Sequence, residues 1–107
     1  MQPRPLPTVE TNPIASSDDD TSNHRNHELK TWPEFFQAIL DGRKKHEIRQ
    51  ADRPFAVGDT LHLREWDPET HIYSGRDLKV TVTYITPGGQ WGVAPDMCVM
   101  SIVPVLE

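Results

Sequence analysis

The chain has 107 residues and a net charge of −5, which fits one domain and does not favour nucleic acid as a partner. Its one cysteine, Cys98, excludes an intramolecular disulfide framework, and the apolar run around it indicates a small core residue. No apolar run approaches the roughly 20 residues that span a bilayer, and no apolar segment follows the first basic residue, Arg4. The sequence therefore predicts a cytoplasmic protein with no membrane partner.

Residues 1–23 differ in composition from the rest of the chain. They hold four of the ten prolines, no glycine, and an uninterrupted polar run at residues 16–23. Their charge is −3, and their few apolar residues show no sustained period. Such a segment does not bury enough surface to offset its ordering entropy. We therefore predict a disordered N-terminal tail, followed by one folded domain over residues 27–107.

A folded pattern begins at His27. Residues 27–30 predict a short first strand, and residues 33–41 predict a helix. Thr31 is placed to cap this helix, Pro33 suits its first turn, and Gly42 suits a left-handed residue at its end. The helix carries an apolar stripe made of Phe35, Phe36, Ile39 and Leu40. We expect its Phe36, Ile39 and Leu40 side chains to pack onto the sheet.

After Gly42 the chain is β-rich. Strands are predicted over residues 44–50, 60–66, 78–84 and 97–103, with turn-forming residues at 58–59, 67–68, 74–75 and 87–89. In the first of these strands, alternation places Lys45, Glu47 and Arg49 on one face. Ile48 lies on the opposite face, which we expect to point into the core.

The order of these elements predicts an α+β fold that is mainly β. One early helix followed by strands with alternating polar and apolar faces favours a curled antiparallel or mixed sheet. We expect about five strands that close into a small β-barrel, with the helix packed against it.

Residues 42–49, GRKKHEIR, match the pattern G-x-K-x-x-E-x-R. With average residue usage, such a match arises by chance roughly once in a thousand chains of this length. The pattern resembles the signature of ASCH domains, relatives of the PUA RNA-binding fold. Stretches across residues 27–103, among them 57–59 and 63–68, resemble the bacterial and phage-associated branch DUF3850. Ala51 stands where that branch often has Asn, and Trp66 where it often has Tyr.

The resemblance implies a PUA-like β-barrel with a cleft between helix and sheet, lined by the signature residues. ASCH domains are widely taken to bind RNA, and some members hydrolyse RNA or modified nucleosides. In the nucleoside amidohydrolases of the superfamily, a Lys is followed three positions later by a Thr nucleophile. Here Lys44 is followed by Glu47, so that mechanism lacks its nucleophile.

The segment 43–53 is the most basic stretch of the acidic chain, with five basic and two acidic residues. At physiological salt each charge acts over about 8 Å, so a local patch attracts phosphates despite the overall charge. The alternative is a solvated strand face with internal ion pairs. Glu47 has three possible roles, which are to accept a hydrogen bond from a base edge or ribose hydroxyl, to orient Arg49, or to act as a general base.

The candidate ligand-binding residues are the cations of this segment, its central glutamate and two aromatic residues: Lys44, Lys45, Glu47, Arg49, Arg53, Tyr73 and Trp91. Trp91 lies in a glycine-rich loop and Tyr73 near a turn, and exposed rings of this kind stack bases in proteins that bind single-stranded RNA. Packing within the protein is the alternative for each ring. The histidines lack metal-binding spacing, so we expect no metal and no cofactor.

Three functions remain open. The first is a non-catalytic module that binds single-stranded RNA or a nucleotide-like ligand. The second is a hydrolase acting on RNA or a modified nucleoside, with Lys44 and Glu47 as catalytic residues. The third is an accessory protein of phage or mobile-element type that binds a protein or another small ligand. We expect a monomer, and in a binder the shape-conserving change Glu47→Gln should alter affinity modestly.

Removing residues 1–23 should leave the stability of the domain almost unchanged, because a disordered tail contributes no packing. The midpoint of thermal unfolding should stay within about 4 °C of the full-length value, which corresponds to roughly 1 kcal/mol for a domain of this size. A larger drop would show that the tail packs against the domain.

Overall fold

A computed structural model describes residues 24–106, and the predicted tail lies outside the described residues. This part of the chain forms five strands and one helix. In chain order they are β1 (Asn26–Thr31), α1 (Pro33–Leu40), β2 (His46–Gln50), β3 (Thr60–Asp67), β4 (Ile72–Pro87) and β5 (Met97–Pro104). The predicted α+β, mainly β, fold class is confirmed.

The five strands form one sheet in the order β1-β3-β4-β5-β2. β1 runs parallel to β3, and the other neighbouring strands are antiparallel. The sheet curls into a half-barrel, so β1 and β2 remain as its two edges. The prediction of five curled strands is confirmed, and the opening between the two edge strands becomes important for the site.

The core lies on the inner face of the curled sheet. Alternation in β3 buries Leu61 and Leu63, and β4 and β5 contribute Val80, Val82, Cys98, Met100 and Ile102. Leu29 of β1 and Ile39 of α1 complete this cluster. Cys98 is thus the buried core residue that the sequence predicted, and burial raises the pKa of its thiol.

The helix packs on the sheet with a narrower stripe than the sequence predicted. Phe36 and Ile39 are buried, whereas Leu40, the last residue of α1, is 47% exposed. The prediction that Leu40 packs onto the sheet was therefore wrong, because this two-turn helix ends before its final side chain is covered. Thr31 does not cap the helix either, since it remains in β1 and the N-cap is Trp32. Among residues 24–106, no helix is long and apolar enough to cross a membrane.

Two buried carboxylates connect the loops and the helix to the sheet. Asp59 accepts hydrogen bonds from the backbone N–H groups of Arg25 and Ala56, each at 3.0 Å, and lies 2.8 Å from the His27 ring. Glu65, on the inner face of β3, accepts bonds from the Arg76 guanidinium at 2.9 and 3.1 Å and from the Ser74 hydroxyl at 2.6 Å. The hydrogen bond from Arg76 holds the pKa of Glu65 below its usual range.

Arg76 also fixes the helix. Its guanidinium lies 5.0 Å from the Phe36 ring centroid and donates a hydrogen bond to Gln37 Oε1 at 3.0 Å. The register of β3 and β4 shifts between Arg64 and Trp66, which leaves residues 74–76 unpaired and lets Arg76 reach the helix. The turn predicted at 74–75 is therefore an irregularity within β4, where Gly75 adopts a φ of +97°.

The contrast between two residues of α1 gives a test of this packing. Phe36→Ala should lower the free energy of unfolding by about 3–5 kcal/mol, because Phe36 is fully buried. Leu40→Ala should cost less than about 1 kcal/mol, because half of that side chain is already in solvent. Urea unfolding measures both values, and similar losses for the two variants would contradict the observed helix orientation.

Candidate functional site

An open cleft of about 380 Å³ lies between two segments of the chain. One segment runs from the end of β1 into α1, and the other runs from the loop after α1 into β2. The lining residues are Lys30, Thr31, Trp32, Phe35, Lys44, His46, Glu47, Ile48 and Arg49. The cleft therefore occupies the opening between the two edges of the half-barrel, and it includes three of the four fixed residues of the G-x-K-x-x-E-x-R pattern.

Gly42, the fourth fixed residue, brings the chain from the helix to the cleft. It has a φ of +82°, a left-handed conformation that glycine adopts without strain. The turn lets the backbone N–H groups of Arg43 and Lys44 both donate to the Ala38 carbonyl at 3.0 Å, which satisfies the end of the helix. The predicted helix-ending role of Gly42 is thus confirmed, and Lys44 is positioned by the backbone at the mouth of β2.

Glu47 faces inward and Ile48 faces outward, the reverse of the predicted orientation. Glu47 is 4% exposed and pairs with the buried Met100 of β5, whereas Ile48 is 52% exposed. Directly opposed residues of an antiparallel pair share a face, so the register with β5 sets the orientation of β2. Because β2 is an edge strand beside an open cleft, its inner face does not have to be apolar.

Arg49 crosses the cleft and connects the two edge strands. Its guanidinium donates to the Lys30 carbonyl at 2.9 Å and to the Thr31 hydroxyl at 3.3 Å, both on β1. Its Nε donates to Glu47 Oε1 at 3.2 Å, which sets the direction of the side chain. One of the three roles considered for Glu47, the orientation of Arg49, is therefore present in the structure.

The other oxygen of Glu47 has no hydrogen-bond partner. Glu47 Oε2 is the one buried side-chain nitrogen or oxygen atom in this state among residues 24–106. Lys44 Nζ lies 3.9 Å away, close enough for attraction but too far for a hydrogen bond, and donates instead to the His46 carbonyl. Burial lowers the pKa of Lys44, and the neighbouring Glu47 carboxylate partly opposes this effect.

Two aromatic residues that the sequence analysis did not assign to the site form a wall of the cleft. Trp32 and Phe35 stack with centroids 6.0 Å apart and remain 47% and 41% exposed. Lys44 Nζ lies 5.9 Å from the centroid of Phe35. The sequence analysis placed Phe35 in the apolar stripe of the helix. Adjacent residues of a helix point in different directions, so its position next to the buried Phe36 was a signal that Phe35 faces away from the core.

The remaining predicted site residues do not line the cleft. Lys45 is exposed, and Arg53 pairs with Asp52 and lies 5.7 Å from the Phe55 ring centroid. Tyr73 lies under the Arg64 guanidinium at 3.9 Å, and Trp91 is 70% exposed in the loop between β4 and β5. In the part of the chain that the structure describes, no group of three or more His, Cys, Asp or Glu residues is arranged to hold a metal ion.

Residues 26–102 match DUF3850, a domain of unknown function. The chain belongs to the DUF3850 family. It is also 35% identical over 65 residues to a protein of Escherichia phage P2 described as "Uncharacterized 12.9 kDa protein in GpA 3'region". That similarity covers 61% of this chain and 58% of the phage protein, so the chain spans less than two thirds of the length of this phage protein.

The bridge between the edge strands gives a test of the site's architecture. Arg49→Ala should lower the free energy of unfolding by about 1–3 kcal/mol, because it removes three hydrogen bonds and leaves Glu47 Oε1 buried without its donor. Lys45→Ala, which removes an exposed cation directly before β2, should change stability by less than about 0.5 kcal/mol. Equal values in urea unfolding would mean that Arg49 does not hold the edges together.

Proposed function

We propose that this DUF3850 domain is an ASCH-type, PUA-like module that binds single-stranded RNA or a nucleotide-like ligand in the cleft. The observation that carries the proposal is that one open cleft combines cations with a partly exposed aromatic wall. Lys30, Lys44 and Arg49 supply the positive charge, and Trp32 and Phe35 supply flat apolar surface. Proteins that bind single-stranded nucleic acid combine a positively charged groove with aromatic side chains on which bases stack.

The charge distribution supports an anionic ligand at this place. Residues 24–107 carry 10 basic and 12 acidic residues, so the whole domain is slightly acidic. The cleft, however, has three cations and one carboxylate among its lining residues. Because screening at physiological salt limits each charge to about 8 Å, a strand lying in the cleft encounters mainly the local positive charge. Binding to cellular RNA fits the cytoplasmic location that the sequence predicts.

A pair of tryptophan variants tests the role of the aromatic wall. Trp32→Ala should weaken binding of a short single-stranded RNA by roughly 5- to 150-fold, the range expected for the loss of one stacked base. Trp91→Ala, which removes an exposed tryptophan outside the cleft, should leave the affinity unchanged. Fluorescence anisotropy with a labelled RNA measures both dissociation constants.

The electrostatic part of the proposal has its own matched control. Lys44→Ala should weaken RNA binding and reduce the dependence of affinity on salt concentration, whereas Lys79→Ala, an exposed cation on β4, should do neither. If the two lysine variants had equal effects and Trp91→Ala lost binding, the RNA would contact another surface. That result would contradict the proposal that RNA binds in the cleft.

A hydrolase is the second candidate function, and the Lys44–Glu47 pair favours it. Lys44 Nζ lies 3.9 Å from a buried carboxylate oxygen, and burial lowers the pKa of its ammonium group, which eases proton release. Incubating labelled RNA with the protein, with chelator present, separates this candidate from a binder. Cleavage by the wild type that is absent with Glu47→Gln would establish the hydrolase, and intact RNA with measurable binding would favour the binder.

A further inference from the structure

Among residues 24–106 three carboxylate side chains are buried, and two of them have hydrogen-bond partners for both oxygens. Both oxygens of Asp59 and both oxygens of Glu65 have hydrogen-bond partners. Glu47 is as deeply buried as these two residues, yet its Oε2 has none. Buried polar atoms are almost always paired because an unpaired one costs about 1–3 kcal/mol. The exception lies at the floor of the cleft.

The surroundings of Glu47 Oε2 define a pair of complementary groups. The oxygen is an acceptor, and Lys44 Nζ, 3.9 Å away, is a donor. An ammonium group has three N–H donors, and the His46 carbonyl takes one of them. Glu47 Oε2 is buried in the free protein, so a ligand reaches it only when the surrounding side chains shift. The floor of the cleft thus offers one acceptor next to one donor, beside an aromatic wall.

We propose that the cleft takes one uncharged nucleobase edge-first, with a base N–H donating to Glu47 Oε2. This inference rests on the proposed RNA-binding function and specifies which part of the RNA enters. The neighbouring acceptor on the base edge receives a hydrogen bond from Lys44 Nζ. The flat face of the base lies along Trp32 and Phe35. The phosphates remain outside, near Lys30 and the rim of the cleft.

Charge and shape favour a base over a phosphate at the floor. A phosphate oxygen only accepts hydrogen bonds and is repelled by the Glu47 carboxylate, whereas the Watson–Crick edge of each of the four bases presents an N–H donor next to an acceptor. A ribose hydroxyl also donates, but it brings no flat surface to the aromatic pair. A stacked base uses the acceptor, the donor and the wall together.

The hydrogen bond from Arg49 makes Glu47→Gln a sharper probe than the sequence suggested. Arg49 Nε donates to Glu47 Oε1, so the carbonyl oxygen of a glutamine stays at that position. The amide NH₂ then occupies the position of Oε2 and presents a donor where the carboxylate presents an acceptor. An N–H of the base then faces another N–H donor, and no hydrogen bond forms. We therefore expect a large loss of affinity instead of the modest change that the sequence analysis predicted.

The test compares two strands of the same length on three proteins, the wild type and two glutamine variants. One strand is a short RNA with all four bases, and the other is its abasic sugar–phosphate counterpart. For the base-bearing strand, Glu47→Gln should raise the dissociation constant about tenfold or more. For the abasic strand it should leave the dissociation constant unchanged or lower it, because a negative charge is removed near phosphates. Glu69→Gln, in the exposed turn between β3 and β4, makes the same charge change elsewhere and should affect neither strand.

Each outcome has a distinct meaning. Opposite effects on the two strands support recognition of a base. A loss of similar size for both strands would show that Glu47 acts only by orienting Arg49, which overturns this inference and leaves RNA binding intact. Failure of the wild type to bind either strand overturns the proposed function and the inference together.

A measurement on the wild type covers the case in which Glu47→Gln does not fold. A strand of uridines is compared with a strand of 3-methyluridines, in which a methyl group replaces the one ring N–H of the base. We expect the methylated strand to bind about tenfold more weakly or worse. Equal affinities, or uridine binding no tighter than the abasic strand, would refute the role of Glu47 Oε2 as an acceptor for the base.

Discussion

The connection that Arg49 makes between β1 and β2 is the constraint on which the site depends. The five-stranded sheet ends at these two strands, and no backbone ladder joins them. Arg49 reaches from β2 to the Lys30 carbonyl and the Thr31 hydroxyl, and Glu47 fixes its direction. The Arg49 side chain therefore bridges the gap between the two edge strands. The cleft lies beside this bridge, so Glu47 and Arg49 both connect the edges of the half-barrel and line the cleft.

The buried carboxylates show how the protein separates structural from available acceptors. Asp59 holds a loop and the start of β1, and Glu65 holds the irregular part of β4 and, through Arg76, the helix. Each has enough donors for both oxygens. Glu47 has a donor for one oxygen only, and its second neighbour, Lys44, is bonded to a backbone carbonyl. The incomplete hydrogen-bond shell therefore lies in the open cleft, which Glu47 lines.

Local sequence signals predicted the elements well but not their orientation. Turn residues and alternation located the five strands and the helix, and Gly42 marked the helix end because its left-handed conformation is a local property. The facing of Glu47 and Ile48 could not be read in the same way, since the register with Met100 of β5 sets it. Leu40 and Phe35 belong to the same apolar pattern as Phe36. They are exposed because the short helix buries only Phe36 and Ile39 against the sheet, and the sequence pattern does not show how far that contact extends.

The placement of the cleft between the two ends of the sheet has a dynamic consequence. Edge strands have a neighbour on one side only, so we expect β1 and β2 to open before β3 and β4 do. A ligand that contacts both Trp32, which directly follows β1, and Glu47 of β2 connects the two strands that lie farthest apart in the sheet order. Its binding energy adds to the resistance of both ends to opening. Occupancy would therefore slow amide hydrogen exchange most strongly in β1 and β2, at a distance from the core that holds the centre of the sheet together.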